Sequence, residues 1–310
     1  MSFVKTDVPM TSALSGQIID RLLAAYPFLR SETLTETAYG RPVRTLVLGN
    51  GPRQVLFSAA HHANEWITAT VLLKFAEDLA QAMAEDGRIW GVPAKTIRDQ
   101  VTVHLVPIVN PDGVDLVTGA IAPGSEEFEQ ARILSLNYPS IPFPQGWKAN
   151  LMGVDLNLQY PAGWLQAREI KFSQGFTRPG PRDYVGRAPL MQPEARTLAE
   201  YTRQVDPRVV LAYHTQGNVI YWQFGDYEVP GARALGEEFA RVSGYSLEDT
   251  PYVSAFAGYK DWFIKAFRRP GYTIEVGMGE NPLPLSQFDR IYQDNLGILV
   301  TAATGLPGGD

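Results

Sequence analysis

The stretch Ser58-Ala59-Ala60-His61-His62-Ala63-Asn64-Glu65-Trp66 governs how the rest of the chain is read. Before it runs Gln54-Val55-Leu56-Phe57, short, apolar and preceded by Asn50-Gly51-Pro52, the pattern of a buried strand entered from a turn. After it, Ile67, Val71, Leu72, Phe75 and Leu79 recur at helical spacing as far as Met83. His62 and Glu65 therefore fall in the loop at a strand end, on the first turn of the next helix. Three positions apart there, an imidazole nitrogen and a carboxylate converge on one point, which begins a zinc site but leaves it short of a third ligand. Alone, the pair also fits a helix N-terminus carrying a favourable acidic side chain. The remaining sequence has to decide.

The chain has 310 residues, 45% of them hydrophobic, enough for one large core or two modest ones. No composition shift or repeat divides it, so residues 1–310 are expected to form a single domain with an N-terminal helix at 11–27 packed on it. The formal charge of −6 is scattered, with no basic block. That argues against nucleic acid or an anionic membrane as a main partner and leaves a small cationic or zwitterionic substrate open. With no cysteine there is neither a disulfide framework nor a thiolate metal site. Met1 to Arg30 holds no basic segment followed by an apolar core, and no later stretch is long enough to span a bilayer, so a cytoplasmic location is the expectation.

Outward from the His62 loop, Ile18, Ile19, Leu22, Leu23 and Tyr26 carry a helical stripe that ends before Pro27, and Thr33 to Leu48 reads as a hairpin around Gly40-Arg41-Pro42. Val101 to Val109 reads as a strand stopped by a tight turn at Asn110-Pro111-Asp112-Gly113. His104 within it is expected to be a hydrogen-bonded structural histidine. Gly119 to Gly146 reads as a long loop, and a helix is expected over Pro193 to Val205.

Val209 to Tyr213 is a further strand, and it delivers His214 at its end. This repeats the placement of His62, and in open α/β sheets ligands gather beyond the carboxyl ends of strands. Two histidines and a glutamate that leave a position open for water form a catalytic zinc pattern rather than a structural one. In Tyr272-Thr273-Ile274-Glu275-Val276 the apolar residues alternate with Thr273 and Glu275, which turns Glu275 away from the apolar face. A carboxylate there is costly unless it is ion-paired or working.

The order His62-Ala63-Asn64-Glu65, Asn110-Pro111-Asp112-Gly113, Gly153-Val154-Asp155-Leu156-Asn157, His214 and Glu275 resembles the zinc metallocarboxypeptidase family from about Leu34 to Tyr292. Trp147-Lys148-Ala149-Asn150, Gly180-Pro181-Arg182-Asp183-Tyr184, His214-Thr215-Gln216-Gly217, Ala257 to Trp262 and Asn281-Pro282-Leu283-Pro284 look like its bacterial branch of γ-D-glutamyl-diamino acid endopeptidases. The resemblance implies an α/β fold, an open mixed sheet flanked by helices, and one Zn²⁺ ion held by His62, Glu65 and His214. It casts Asp155 as the carboxylate that orients a ligating histidine and Glu275 as the general base that later protonates the leaving amine. Lys148 stands where the family usually has an arginine that polarises the scissile carbonyl, and Tyr252 is matched to the mobile tyrosine that covers substrate.

Departures from the family pattern bear on substrate. Asn157 is followed by Leu158 where carboxypeptidases have an arginine that helps clamp a terminal carboxylate, and Asn64 stands where the animal enzymes often have arginine. Lys260 aligns with the floor of the specificity pocket and favours an acidic group after the cut, such as the distal carboxylate of diaminopimelate. Asn157, Arg182 and Arg187 are the other expected substrate contacts. The expectation is hydrolysis of the γ-D-glutamyl–diamino acid bond in muropeptides. A general carboxypeptidase releasing acidic residues and a non-catalytic peptide-binding protein are the alternatives.

Overall fold

The structure, a computed structural model, describes residues 2–305. Its first half contains α1 (Ser12–Ala25), β1 (Thr33–Glu36), β2 (Pro42–Arg44), β3 (Leu46–Leu48), β4 (Arg53–Ala59), α2 (Ile67–Ala84), β5 (Arg88–Ile89), β6 (Val92–Pro93), α3 (Ala94–Gln100), β7 (Val101–Val106), α4 (Pro111–Thr118) and α5 (Glu126–Ser135). There follow α6 (Trp164–Ser173), α7 (Pro193–Val205), β8 (Val209–His214), β9 (Val219–Tyr221), α8 (Ala232–Ser243), β10 (Ser246–Glu248), α9 (Tyr259–Phe267), β11 (Gly271–Glu275) and α10 (Phe288–Thr304).

Seven strands form one mixed sheet in the order β10-β9-β11-β8-β4-β7-β3. The four central strands are parallel, while β3 and β9 run antiparallel to β7 and β11. Both faces of the centre are covered, so the central strands read as near-continuous apolar runs. Val55 and Phe57 of β4 face the larger core built with α1, α2, α3, α8 and α10, whereas Leu56 faces a second core built with α7 and α9. All three are fully buried, each stabilising the fold by roughly 1.5–3 kcal/mol.

The chain leaves β4 to form β7 on one side and returns to place β8 on the other. The order reverses at β4, and a crevice opens at the carboxyl ends of β4 and β8, the position where open α/β sheets hold ligands. The α/β mixed sheet with flanking helices expected from the sequence is observed. So are the helix over Pro193–Val205, the N-terminal helix, which Thr11 caps by accepting from the Leu14 N–H, and a hairpin of β1 and β2, which ends at Arg44 because β3 leaves it to pair with β7 in the large sheet.

Two expectations are corrected. Asn110-Pro111-Asp112-Gly113 is not a tight reversal. Asn110 caps α4, accepting from the Gly113 N–H, and Pro111 occupies the first helical position, where its missing N–H costs nothing. The long loop over 119–146 is interrupted by α5, capped by Ser125 and carrying Glu126, Glu127 and Glu129 in its first turn. Acidic residues at a helix N-terminus meet the positive end of the helix dipole. His104 is the expected structural histidine, with both ring nitrogens engaged by Tyr201 and Gln54 at 2.6 and 2.8 Å.

Candidate active site

His62 lies just beyond β4, Glu65 on a 3₁₀ turn at Ala63–Glu65, and His214 on the last residue of β8. Glu65 and His214 are buried, as the deep end of a crevice between parallel strands requires. The His62 and His214 Nδ1 atoms are 3.2 Å apart, and the two Glu65 carboxylate oxygens lie 3.0 and 2.9 Å from them respectively. Two basic ring nitrogens at that spacing require a proton or a cation between them. One ligand atom from each residue falls within 4.8 Å of the others, and two imidazole nitrogens with one carboxylate oxygen form a donor set suited to zinc.

His62 Nε2 is 3.1 Å from Asp155 Oδ1, on the edge of the ring away from this cluster. That contact places the ring proton on Nε2 and turns the Nδ1 lone pair toward Glu65 and His214. Asp155 is itself fixed, accepting from the backbone N–H groups of Asn157 and Asp183. Lys148 Nζ lies 2.8 Å from Glu65 Oε1. Burial opposes the charge on Glu65, but Lys148 and both histidines hold its carboxyl well below the usual range. Burial also opposes a charged His62, yet Glu65 and Asp155 outweigh it and push the ring up to about 9.

Glu275 ends β11 in register with His214 on β8, so the two side chains share a face at the same height. Thr273 and Glu275 face a cavity of about 960 Å³ while Tyr272, Ile274 and Val276 are buried in the core, as the alternation requires. Burial first, and then the Glu65 charge, pushes the Glu275 carboxyl up to about 8. A carboxyl tuned to the neutral range can both take and give a proton near pH 7.

The cavity brings together His62, Lys148, Asp155, Asn157, Arg182, His214, Lys260 and Glu275. Asn157 Oδ1 accepts from the Tyr259 N–H at 3.1 Å. Leu158 lines the cavity as an apolar wall packed on Ala167 and Val185. The Lys260 ammonium already meets Gln223 O, Thr250 Oγ1 and Asp261 Oδ1 at 2.6, 3.0 and 2.7 Å. Two expected residues stand apart. Arg187 is exposed and does not line the cavity; Tyr252 is 70% exposed with its ring against Phe256, although its neighbours Pro251 and Ser254 do line it.

Among the lining residues Lys171 gave no sequence signal, and Asn281 and Asn64 stood out in the sequence only as parts of motifs, without a structural role. Lys171, on the last turn of α6, is 2.6 Å from Asp183, a contact made only by the tertiary fold. Asn281 exchanges hydrogen bonds with Thr215, accepting from Oγ1 at 2.6 Å and donating to the backbone oxygen at 3.2 Å. This ties the loop after β11 to the one that follows His214. Asn64 donates to Gln145 O, fastening the metal-side loop to the cavity rim.

Known proteins share this fold. The bovine thrombin-activatable fibrinolysis inhibitor, solved in complex with tick carboxypeptidase inhibitor, superposes with a TM-score of 0.72 at 14% identity, covering 96% of this chain and 97% of that one. Among curated proteins, gamma-D-glutamyl-L-diamino acid endopeptidase 1 of Lysinibacillus sphaericus is 45% identical over 91% of this chain and 69% of its own length. The uncharacterized protein YqgT of Bacillus subtilis (strain 168) is 36% identical over 91% of this chain and 73% of its own. Residues 16–297, the span that carries every member of the cluster from His62 to Glu275, match the profile described as zinc carboxypeptidase, and the chain belongs to that family.

Proposed function

We propose that this protein is a zinc peptidase that hydrolyses the γ-D-glutamyl–diamino acid bond, with meso-diaminopimelate as the diamino acid, in bacterial cell-wall muropeptides. The observation that carries the reading is the convergence of His62, Glu65 and His214 beside Glu275, in a chain 45% identical to a relative named for that bond. His62, Glu65 and His214 would hold one Zn²⁺, which supplies Lewis acidity and lowers the pKa of a water it binds to roughly 7.

The protein's own groups do the rest. Asp155 holds the His62 tautomer. Glu275 accepts a proton from the attacking water at its carboxylate and returns it to the departing amine nitrogen as the C–N bond breaks. Lys148, one of whose ammonium protons points to Glu65, offers the others to the negative charge that develops on the carbonyl oxygen. Asn157 and Lys260 contribute to substrate placement, and Tyr252 is the aromatic assigned to cover it. The apolar Leu158 wall supports a substrate held elsewhere than by the usual terminal-carboxylate clamp. No described helix is long and apolar enough to cross a membrane. Action on released peptides in the cytoplasm is part of the proposal and is tested by cell fractionation.

The test is a mass-spectrometric digest of L-Ala-γ-D-Glu-meso-diaminopimelate beside an α-linked peptide ending in Glu, each with and without chelator. Chelator-sensitive release of diaminopimelate from the first alone is expected. Cleavage of the α-linked peptide alone would make the protein a general carboxypeptidase.

A further inference from the structure

Four cationic side chains of lysine and arginine line the cavity: Lys148, Lys171, Arg182 and Lys260. Each of the three lysines has a carboxylate oxygen within 2.8 Å of its ammonium. Lys148 is paired with Glu65, Lys260 is paired with Asp261 and donates to Gln223 O and Thr250 Oγ1, and Lys171 sits 2.6 Å from Asp183 Oδ1. Arg182 differs. Its Nε donates to Asp183 Oδ2 at 2.7 Å, and among the described residues nothing accepts from its two terminal nitrogens. Its side chain is 41% exposed, so that edge of the guanidinium is open to a ligand.

The corner is built rather than incidental. Asp183 is buried and takes up a left-handed backbone conformation with φ of 64°, which is costly for a residue with a Cβ. Its N–H donates to Asp155 Oδ2, so the corner is fastened to the carboxylate that holds His62. The preceding carbonyl, Pro181 O, accepts from the Lys148 and Ala149 N–H groups. Lys171 neutralises the Asp183 carboxylate, which would otherwise repel an anion, so that Arg182, Lys171 and Asp183 together carry one net positive charge. A guanidinium presenting two parallel N–H groups matches a carboxylate bidentately.

We infer that Arg182, set by Asp183 and Lys171, binds the free α-carboxylate of the D-glutamyl residue on the acyl side of the cut, so that substrates amidated there are rejected. This rests on the proposed γ-D-glutamyl peptidase activity. A γ-linked glutamyl residue spends its side-chain carboxyl in the scissile amide and keeps its α-carboxylate as a free anion. Converting that group to the amide removes the charge and puts an N–H donor against the guanidinium donors, an unpaired contact.

The test compares L-Ala-γ-D-Glu-meso-diaminopimelate with the same peptide carrying D-isoglutamine, using zinc-loaded wild type, Arg182→Gln and Arg182→Lys. A charge-assisted pair of this kind predicts that wild type prefers the free acid by roughly 10- to 100-fold in kcat/KM, mainly through KM. Arg182→Gln should lose that preference by slowing on the acid alone, and Arg182→Lys should recover part of it. Zinc content and circular dichroism of the variants should match wild type. Equal cleavage of both peptides by wild type, or an Arg182→Gln variant that still prefers the acid, would overturn the inference while leaving the activity standing. Failure of wild type to cut either peptide would instead refute the proposed activity.

Discussion

Asp155 Oδ1 lies 3.1 Å from His62 Nε2, on the opposite side of the imidazole from Glu65. One ring thus joins the metal cluster to a carboxylate that is itself anchored by two backbone N–H groups. Removing the charge while keeping the shape should loosen the ring's tautomer. Asp155→Asn is expected to weaken zinc binding about 10- to 100-fold, read by chelator competition. Unchanged zinc affinity would mean that His62 is oriented by something else.

The histidine pair carries a pH dependence. In the metal-free protein the Glu65 and Asp155 carboxylates overcome burial to raise His62 to about 9, and zinc needs its Nδ1 free of a proton. Below that value one proton must leave for each ion bound. Apparent zinc affinity should therefore rise about tenfold per pH unit from neutrality and flatten near pH 9. Calorimetry in buffers of different ionisation enthalpy checks it, and binding without proton release between pH 7 and about 8 would contradict it.

Glu275 faces the cavity from the strand beside His214 and supplies no ligand atom to the cluster. Glu275→Gln should lower kcat by about 10²- to 10⁴-fold while keeping zinc and substrate affinity. A variant with ordinary turnover would remove Glu275 from the proton transfer.

Asn110 links the fold to the site. Besides capping α4, its amide reaches the carbonyls of His61, Lys148 and Ala149 at 3.2, 3.2 and 3.0 Å. Asn110→Ala removes the cap and leaves buried carbonyls without that donor. Denaturant unfolding should show a loss of about 2–3 kcal/mol, accompanied by reduced kcat as the Lys148 segment loosens. A change within 0.5 kcal/mol would show that water satisfies those groups equally well.

The parts of the site delivered by buried strands were legible in the sequence, because apolar runs lead to His62 and His214 at their carboxyl ends. Alternation alone turned Glu275 toward the cavity. Helix α5 was not legible because its residues are mostly polar and few face a core, although Ser125 and the following glutamates were its cap signal. Asn110-Pro111-Asp112-Gly113 is ambiguous in isolation, since the residues that start a helix also make a turn. Lys171 could not be found locally, because it reaches Asp183 only after α6 docks beside the 180–184 segment. The anchoring of Lys260 depends likewise on Gln223 and Thr250, whose oxygens face it only in the folded chain.

The most direct test of the account is zinc titration of chelator-treated protein, followed by release of diaminopimelate from the γ-linked tripeptide. One equivalent of zinc per chain should restore full hydrolysis, and His214→Ala should lose both tight zinc binding and turnover. A His214→Ala variant that keeps its zinc and its rate, or wild type that hydrolyses the peptide equally well without metal, would contradict a zinc centre formed by His62, Glu65 and His214.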